Sequence, residues 1–290
     1  MKRKSIKIRK NKLLCILLSA AAALCLTACG SSESALPDLS SLGAVTAVAR
    51  EEGSGTKSEF QGLVDTDEEG AASIALSTDE MLEAVESDIN AIGYAAYSAL
   101  ADQEAEGIKV LTIDGAECTG ENIADGSYPL TREYIIAYSG TLSDLEADFI
   151  TYIRSAGQEI VAQTATPVRN TAVFLSGGYS GTITISGSTS METLMEQLIE
   201  DYAQYNPNAE IILEITDSTQ GLNAAMQGEC DLAMSSRSLA SYEEELLDYY
   251  VIAADGIAII VNSENPLEDL SIKRLKSIYD GDVSEWSNLE

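Results

Sequence analysis

Twice in this chain an apolar strand pattern runs straight into a small-residue, hydroxyl-rich turn and then into a helix. Ala44 to Ala49 leads to Arg50-Glu51-Glu52-Gly53-Ser54-Gly55-Thr56 and a helix starting over 57–64. Thr182 to Ser186 leads to Gly187-Ser188-Thr189-Ser190 and a helix over 191–205, with Leu194, Leu198 and Tyr202 on one stripe. A strand that feeds a helix in this way must lay the helix back on a sheet, so the chain is expected to be α/β. Each junction also places unpaired helix N–H groups beside hydroxyls, at the positive end of a helix dipole, which outlines an anion site.

Elsewhere the spacing predicts helices over 78–89, 142–153 and 272–279, with a short helical segment around 222–226. Strands are expected at 92–97, 108–113, 134–138, 211–215 and 231–234. The apolar run 251–261 contains Asp255-Gly256 and reads as two strand pieces. Residues 65–77 read as an acidic loop, and 164–181 as a connector.

The first 28 residues have a different character. Lys2, Arg3, Lys4, Lys7, Arg9, Lys10 and Lys12 precede the apolar stretch Leu13 to Leu26, which has secretory-signal length and is too short to span a bilayer. Leu26-Thr27-Ala28-Cys29-Gly30 reads as a lipobox, so Cys29 is expected to carry diacylglycerol after cleavage, with 29–41 as a tether. The expected location is the extracellular face of the cell membrane.

The whole chain holds 47 acidic against 17 basic residues, and seven of those 17 lie within the first 12 positions. Nucleic acid is excluded as a partner, because backbone phosphates need clustered Lys and Arg. An anionic membrane surface is excluded too, except through the lipid. With 45% apolar residues the remainder reads as a packed protein under a solvated acidic surface. There is no histidine. That removes Ser-His and Cys-His catalysis and most metal sites, and no carboxylate pair stands out by spacing, so no enzyme, no metal and no cofactor is expected. Cys118 and Cys230 could pair outside the cell, but two separate buried thiols is the preferred reading.

On residues alone each turn has a plainer alternative. Ser188-Thr189-Ser190 would serve as an ordinary N-cap. The Arg50 loop would serve as a glycine-rich turn, with Arg50 paired to one of many carboxylates. The loop is not a P-loop, since no Gly-Lys-Ser/Thr follows.

Taken together, the motifs resemble those of the phosphate-binding lipoproteins that feed ABC importers. Arg50 to Thr56, Ala91-Ile92-Gly93-Tyr94, Asp125 to Arg132 and Gly157-Gln158 look like that family's second half. Ile185 to Ser190, Ser218, Asp231 to Arg237, Asp255 to Asn262 and Ile278 to Gly281 through Trp286 look like its first half. The halves stand in circularly permuted order. The resemblance implies a periplasmic-binding-protein-like α/β fold of two lobes with a hinge. One lobe would come from both chain ends (42–127 plus 263–290), and the other would be continuous (128–262). It further implies a monomer that binds phosphate and hands it to an ABC permease, or else a surface oxyanion sensor that kept the fold without transport. Carried across residue by residue, Ser188, Thr189, Ser190, Ser218 and Ser236 would bind from the continuous lobe, and Arg50, Ser54, Gly55 and Thr56 from the other. Two positions depart from the pattern. Ser236 stands where an Asp can accept the proton of hydrogen phosphate, and Asp217 stands where a glycine is usual. Asp217 either supplies the missing acceptor or caps a helix beginning near Gly221, the cap being preferred.

Overall fold

One long strand, Asp248–Asn262, ties the molecule together. In this computed structural model, which describes residues 36–100 and 107–289, its last residues pair antiparallel with Ala91–Ala96, and the stretch from Asp248 to Gly256 pairs antiparallel with Thr131–Tyr138. The partner changes between Gly256 and Ile257, and the only break in pairing with Thr131–Tyr138 lies between Val251 and Ala253. The run expected as two pieces is therefore a single strand. Asp255 does not mark a turn; its carboxylate is fully buried against Arg132, which compensates its charge. The lipobox and signal segment lie outside the described residues.

Around this strand the sheet runs, in order, Ser73–Ala75, Thr46–Arg50, Ala91–Ala96, Asp248–Asn262, Thr131–Tyr138, Leu232–Ser235, Gly181–Ser188 and Ala209–Thr216. Thr46–Arg50 is parallel to both its neighbours, and Gly181–Ser188 is parallel to both of its own. Ser73–Ala75 falls in the segment expected as loop. It is a three-residue edge strand in register with Val48 to Arg50, held by backbone pairing while Ile74 stays 61% exposed.

Two large cores flank the crossing, and a smaller third gathers Ile135, Leu222 and Leu247. One gathers Val48, Phe60, Met81, Ile92 and Tyr94 with Leu275, Tyr279 and Trp286 from the far end of the sequence. Inside it Phe60 stacks on Tyr94 with ring centroids 4.1 Å apart, a contact worth about 1 kcal/mol beyond area burial. The other gathers Tyr134, Ile136, Phe149, Ile153, Ile183, Leu198 and Met234. Tyr128, Leu130 and Ile257 to Val261, expected in the continuous lobe, pack in the core built from both chain ends. The chain passes between cores at 130–134 and again at 253–257, because these strands run unbroken through both.

Residues near both ends of the described chain meet in one lobe: Val45 N donates to Ser284 O at 2.9 Å, and Trp286 N donates to Gly43 O at 3.1 Å. Helix Asp144–Ile153 starts at a reciprocal capping box between Ser143 and Glu146, a pairing worth roughly 1 kcal/mol. The 168–180 segment lies along the second lobe with Phe174 tucked beside Tyr152 and Tyr202.

Candidate functional site

Four strands end at one place, three mutually parallel ones from one lobe and one from the other. Thr46–Arg50 delivers Arg50, Gly181–Ser188 delivers Ser188, Leu232–Ser235 precedes Ser236, and Ala209–Thr216 precedes Asp217 and Ser218. In open α/β sheets the carboxyl ends of parallel strands are where ligands bind, because the following helices turn their N-termini there. Three such N-termini converge here. Ser54 caps helix Gly55–Val64, Ser188 caps the single turn Thr189–Met191 that leads into Glu192–Tyr205, and Asp217 caps Ser218–Gln227.

Glycines make the approach close enough. Gly187, at φ 143°, and Gly221 face one another so tightly that a Cβ on Gly221 would sit 2.6 Å from the Gly187 Cα. Helix Ser218–Gln227 is thereby drawn onto the Ser188 strand end. Gly55 does the same between lobes: a Cβ there would stand 2.6 Å from the Ser236 Oγ and would crowd the Ser218 Oγ still more.

The two half-sites meet face to face. Thr56 Oγ1 and Ser190 Oγ are 2.7 Å apart, and Arg50 Nη2 donates to Thr189 Oγ1 at 3.0 Å. Ser188 Oγ donates to Ser236 Oγ at 2.8 Å, and Ser236 N donates to Ser218 Oγ at 3.1 Å. Arg50, Ser54, Thr56, Ser188, Ser190, Ser218 and Ser236 are buried. All nine residues singled out from the sequence thus lie in one cluster, with Ser54 at its edge as the helix cap. Arg50 has the carboxylate partner of its plainer reading: its Nε and Nη2 pair with Glu51 at 2.8 and 3.0 Å, while Nη1 donates to Thr78 Oγ1 at 3.3 Å. Asp217 accepts from Gln220 N at 2.7 Å, the geometry of a cap, and the helix it caps begins at Ser218 rather than near Gly221.

Sequence reasoning missed a second arginine. Arg132 sits opposite Asp255 in the strand register, and both side chains are wholly inaccessible. Arg132 Nε and Nη2 donate to Asp255 at 3.3 and 3.0 Å, and Nη1 donates to Thr56 Oγ1 at 2.6 Å. Asp255 also accepts from Ser98 N and Tyr134 OH. Burial works against the Arg132 charge, but Tyr134 and Asp255 more than offset it and hold the guanidinium above its ordinary value. Burial, then the Asp255 charge, pushes the Tyr134 hydroxyl up, so it stays a neutral donor. The available signal was a lone carboxylate, Asp255, in the middle of an apolar strand.

Chemically the cluster is a set of hydroxyls and helix N–H groups with the Arg50 guanidinium beside them and that of Arg132 behind Thr56, the donor set a desolvated oxyanion requires. Among the described residues no group of His, Cys, Asp and Glu is arranged to hold a metal ion. A surface cleft bordered by Gly53, Ser54, Lys57, Thr219, Arg237 and Tyr242 opens beside the cluster between the lobes. Another, among Asp65, Asp67, Glu69, Lys276 and Asp280, is dominated by carboxylates and offers an anion little.

The chain is similar to known proteins over most of its length. A family model described as a PBP superfamily domain matches residues 33–156 and 163–290. The phosphate-binding protein PstS 2 of Streptococcus pneumoniae is 34% identical over 278 residues, covering 91% of this chain and 94% of its own. That of Streptococcus agalactiae is 36% identical over 265 residues, covering 86% and 89%. A crystal structure of a phosphate-binding protein of a phosphate ABC transporter from S. pneumoniae has a TM-score of 0.69 at 33% identity, covering 86% of this chain and 100% of the other. These alignments run through nearly the whole of both chains, so the order of segments is shared with these relatives.

Proposed function

The chain belongs to the periplasmic-binding-protein superfamily and, within it, to the phosphate-binding proteins of ABC importers, and from that premise we propose that it is an extracellular receptor that holds inorganic phosphate between its lobes and delivers it to a permease. One observation carries the proposal: three helix N-termini, the hydroxyls of both half-sites and the Arg50 guanidinium converge on one buried spot. Arg50, Ser54, Gly55 and Thr56 act from one lobe, and Ser188, Thr189, Ser190, Ser218 and Ser236 from the other. Binding at micromolar strength needs about 8 kcal/mol. A handful of charge-assisted bonds at about 1.5–3 kcal/mol each reaches that after the cost of association.

The two strands that cross between the cores at 130–134 and 253–257 act as the hinge. Closing brings Thr56 to Ser190 and Arg50 to Thr189, and so assembles a cradle that neither lobe has alone. Periplasmic binding proteins are the handover class in which such closure signals a loaded receptor. The acidic surface does not prevent binding, since its charges are screened beyond about 8 Å at physiological ionic strength, whereas the cradle acts at contact. We assign retention at the membrane to a lipid on Cys29; no helix among the described residues is long and apolar enough to cross a bilayer. The protein acts as a monomer and carries out no catalysis.

Equilibrium dialysis with radiolabelled phosphate tests the reading. The wild type should retain phosphate at micromolar concentration, and R50A should lose at least about a hundredfold in affinity, as expected for removing a charged donor that makes more than one bond. Equal retention by the two proteins would sink it.

A further inference from the structure

Arg132 touches the cradle through one terminal nitrogen. Its Nε and Nη2 are taken by Asp255, and Nη2 also faces Tyr134 OH at 3.2 Å. Nη1 remains, and it reaches Thr56 Oγ1 at 2.6 Å and the Ser236 carbonyl at 3.4 Å. A guanidinium has five N–H donors and no acceptor. Thr56 Oγ1 must therefore accept from it, and the one hydrogen of that hydroxyl is left to donate elsewhere, on the side where Ser190 Oγ lies 2.7 Å away.

Neighbouring hydroxyls are wired with the same polarity by the main chain. Ser54 Oγ accepts from Lys57 N at 3.3 Å, Ser188 Oγ from Ser190 N at 3.2 Å, and Ser218 Oγ from Ser236 N at 3.1 Å. Ser54 and Ser218 are left with their hydrogens to give, while Ser188 gives its own to Ser236 Oγ at 2.8 Å. Thr56 differs in that a side chain from the crossing strands, rather than a local backbone N–H, fills its acceptor side.

We propose that Arg132 is a positioning residue for the oxyanion: it makes the Thr56 hydroxyl an obligate donor at the point where the two lobes close, and Asp255 holds it in the orientation that does so. The inference rests on the phosphate reading above. Lysine cannot replace it, because one ammonium on a flexible stem cannot satisfy Asp255 and Thr56 in the fixed fork that a guanidinium provides. Without the fork the Thr56 hydroxyl can rotate and present lone pairs to an anion, which repels them.

A double-mutant cycle on phosphate affinity decides the matter, using the wild type, T56V, R132K and R132K/T56V in calorimetry, with thermal melting to confirm folding. T56V and R132K should each weaken phosphate about tenfold, the loss of roughly one hydrogen bond. The double variant should be no more than about threefold weaker than the weaker single one, because Arg132 acts through Thr56. A purely structural role would instead weaken binding by the same factor with or without the Thr56 hydroxyl, and multiplicative losses would overturn the inference while leaving the receptor reading intact. No phosphate binding by the folded wild type would overturn both. If R132K does not fold, R132Q/D255N removes both buried charges together and enters the same cycle, with the same outcomes.

Discussion

Gly55→Ala separates folding from ligand capture. Gly55 opens helix Gly55–Val64, and its φ is not positive, so alanine suits its backbone and is the better helix former by up to about 1 kcal/mol. Within its own lobe the substitution is harmless. Across the cleft it is not: the new methyl would stand 2.6 Å from the Ser236 Oγ and 3.0 Å from the Ser236 carbonyl carbon, and nearer still to the Ser218 Oγ. Restoring van der Waals distance requires the lobes to part by about 1 Å. That stretches the 2.7 Å Thr56–Ser190 contact and the 3.0 Å Arg50–Thr189 bond beyond hydrogen-bonding range. An anion spanning the same gap loses reach to at least two donors, worth about 1.5–3 kcal/mol each when charge-assisted. The expected outcome is a phosphate Kd raised roughly 10²- to 10⁴-fold, with a melting temperature in the absence of phosphate equal to or above that of the wild type. Calorimetric titration beside differential scanning calorimetry reads both. G55A binding phosphate within threefold of the wild type would refute the claim that the lobes close to this distance around the ligand.

Glu68 is buried and bonded to Tyr94 OH at 2.7 Å, and burial raises its carboxyl to about 7 against the lowering effects of Tyr94 and Lys57. The folded state therefore holds its proton more tightly than the unfolded state does. Stability should fall as pH rises from about 4.5 to about 7, and E68Q should raise the melting temperature at pH 8 but not at pH 4. Ser236→Asp would place a proton acceptor where a hydroxyl now lies 2.8 Å from Ser188; competition binding should show phosphate favoured over sulfate at least about tenfold more than in the wild type. Burial raises the Cys118 thiol to about 12 and the Cys230 thiol to about 11, and neither cysteine is in a disulfide. Both should resist alkylation at pH 8 until the protein unfolds, which mass spectrometry of iodoacetamide-treated samples would read.

The half-sites were legible because their signal is local. A strand, a glycine-bearing turn and a hydroxyl at the start of a helix occupy a few consecutive residues, so Arg50 to Thr56 and Ser188 to Ser190 announce themselves. Arg132 was not legible as part of the site because what defines its role is distant in sequence: it meets Asp255 across 123 positions and Thr56 across 76. The run containing Asp255-Gly256 was misread as two strand pieces for the same reason, since a buried Asp with a remote Arg partner looks locally like a break in the strand. The edge strand Ser73–Ala75 carries almost no apolar pattern because Ser73 and Ile74 are exposed and only Ala75 is buried. Asp217 went the other way: an acidic residue just before a helix is a local capping signal, and capping is what its carboxylate does.

The central claim, that one tetrahedral anion is held between Arg50 and Thr56 on one side and Ser188, Ser190 and Ser236 on the other, is most directly tested by crystals grown with arsenate and measured near the arsenic absorption edge. The account predicts a single anomalous peak within hydrogen-bonding distance of the Arg50 guanidinium and the Ser236 hydroxyl. A peak elsewhere on the surface, or none between the lobes of a closed molecule, would contradict it.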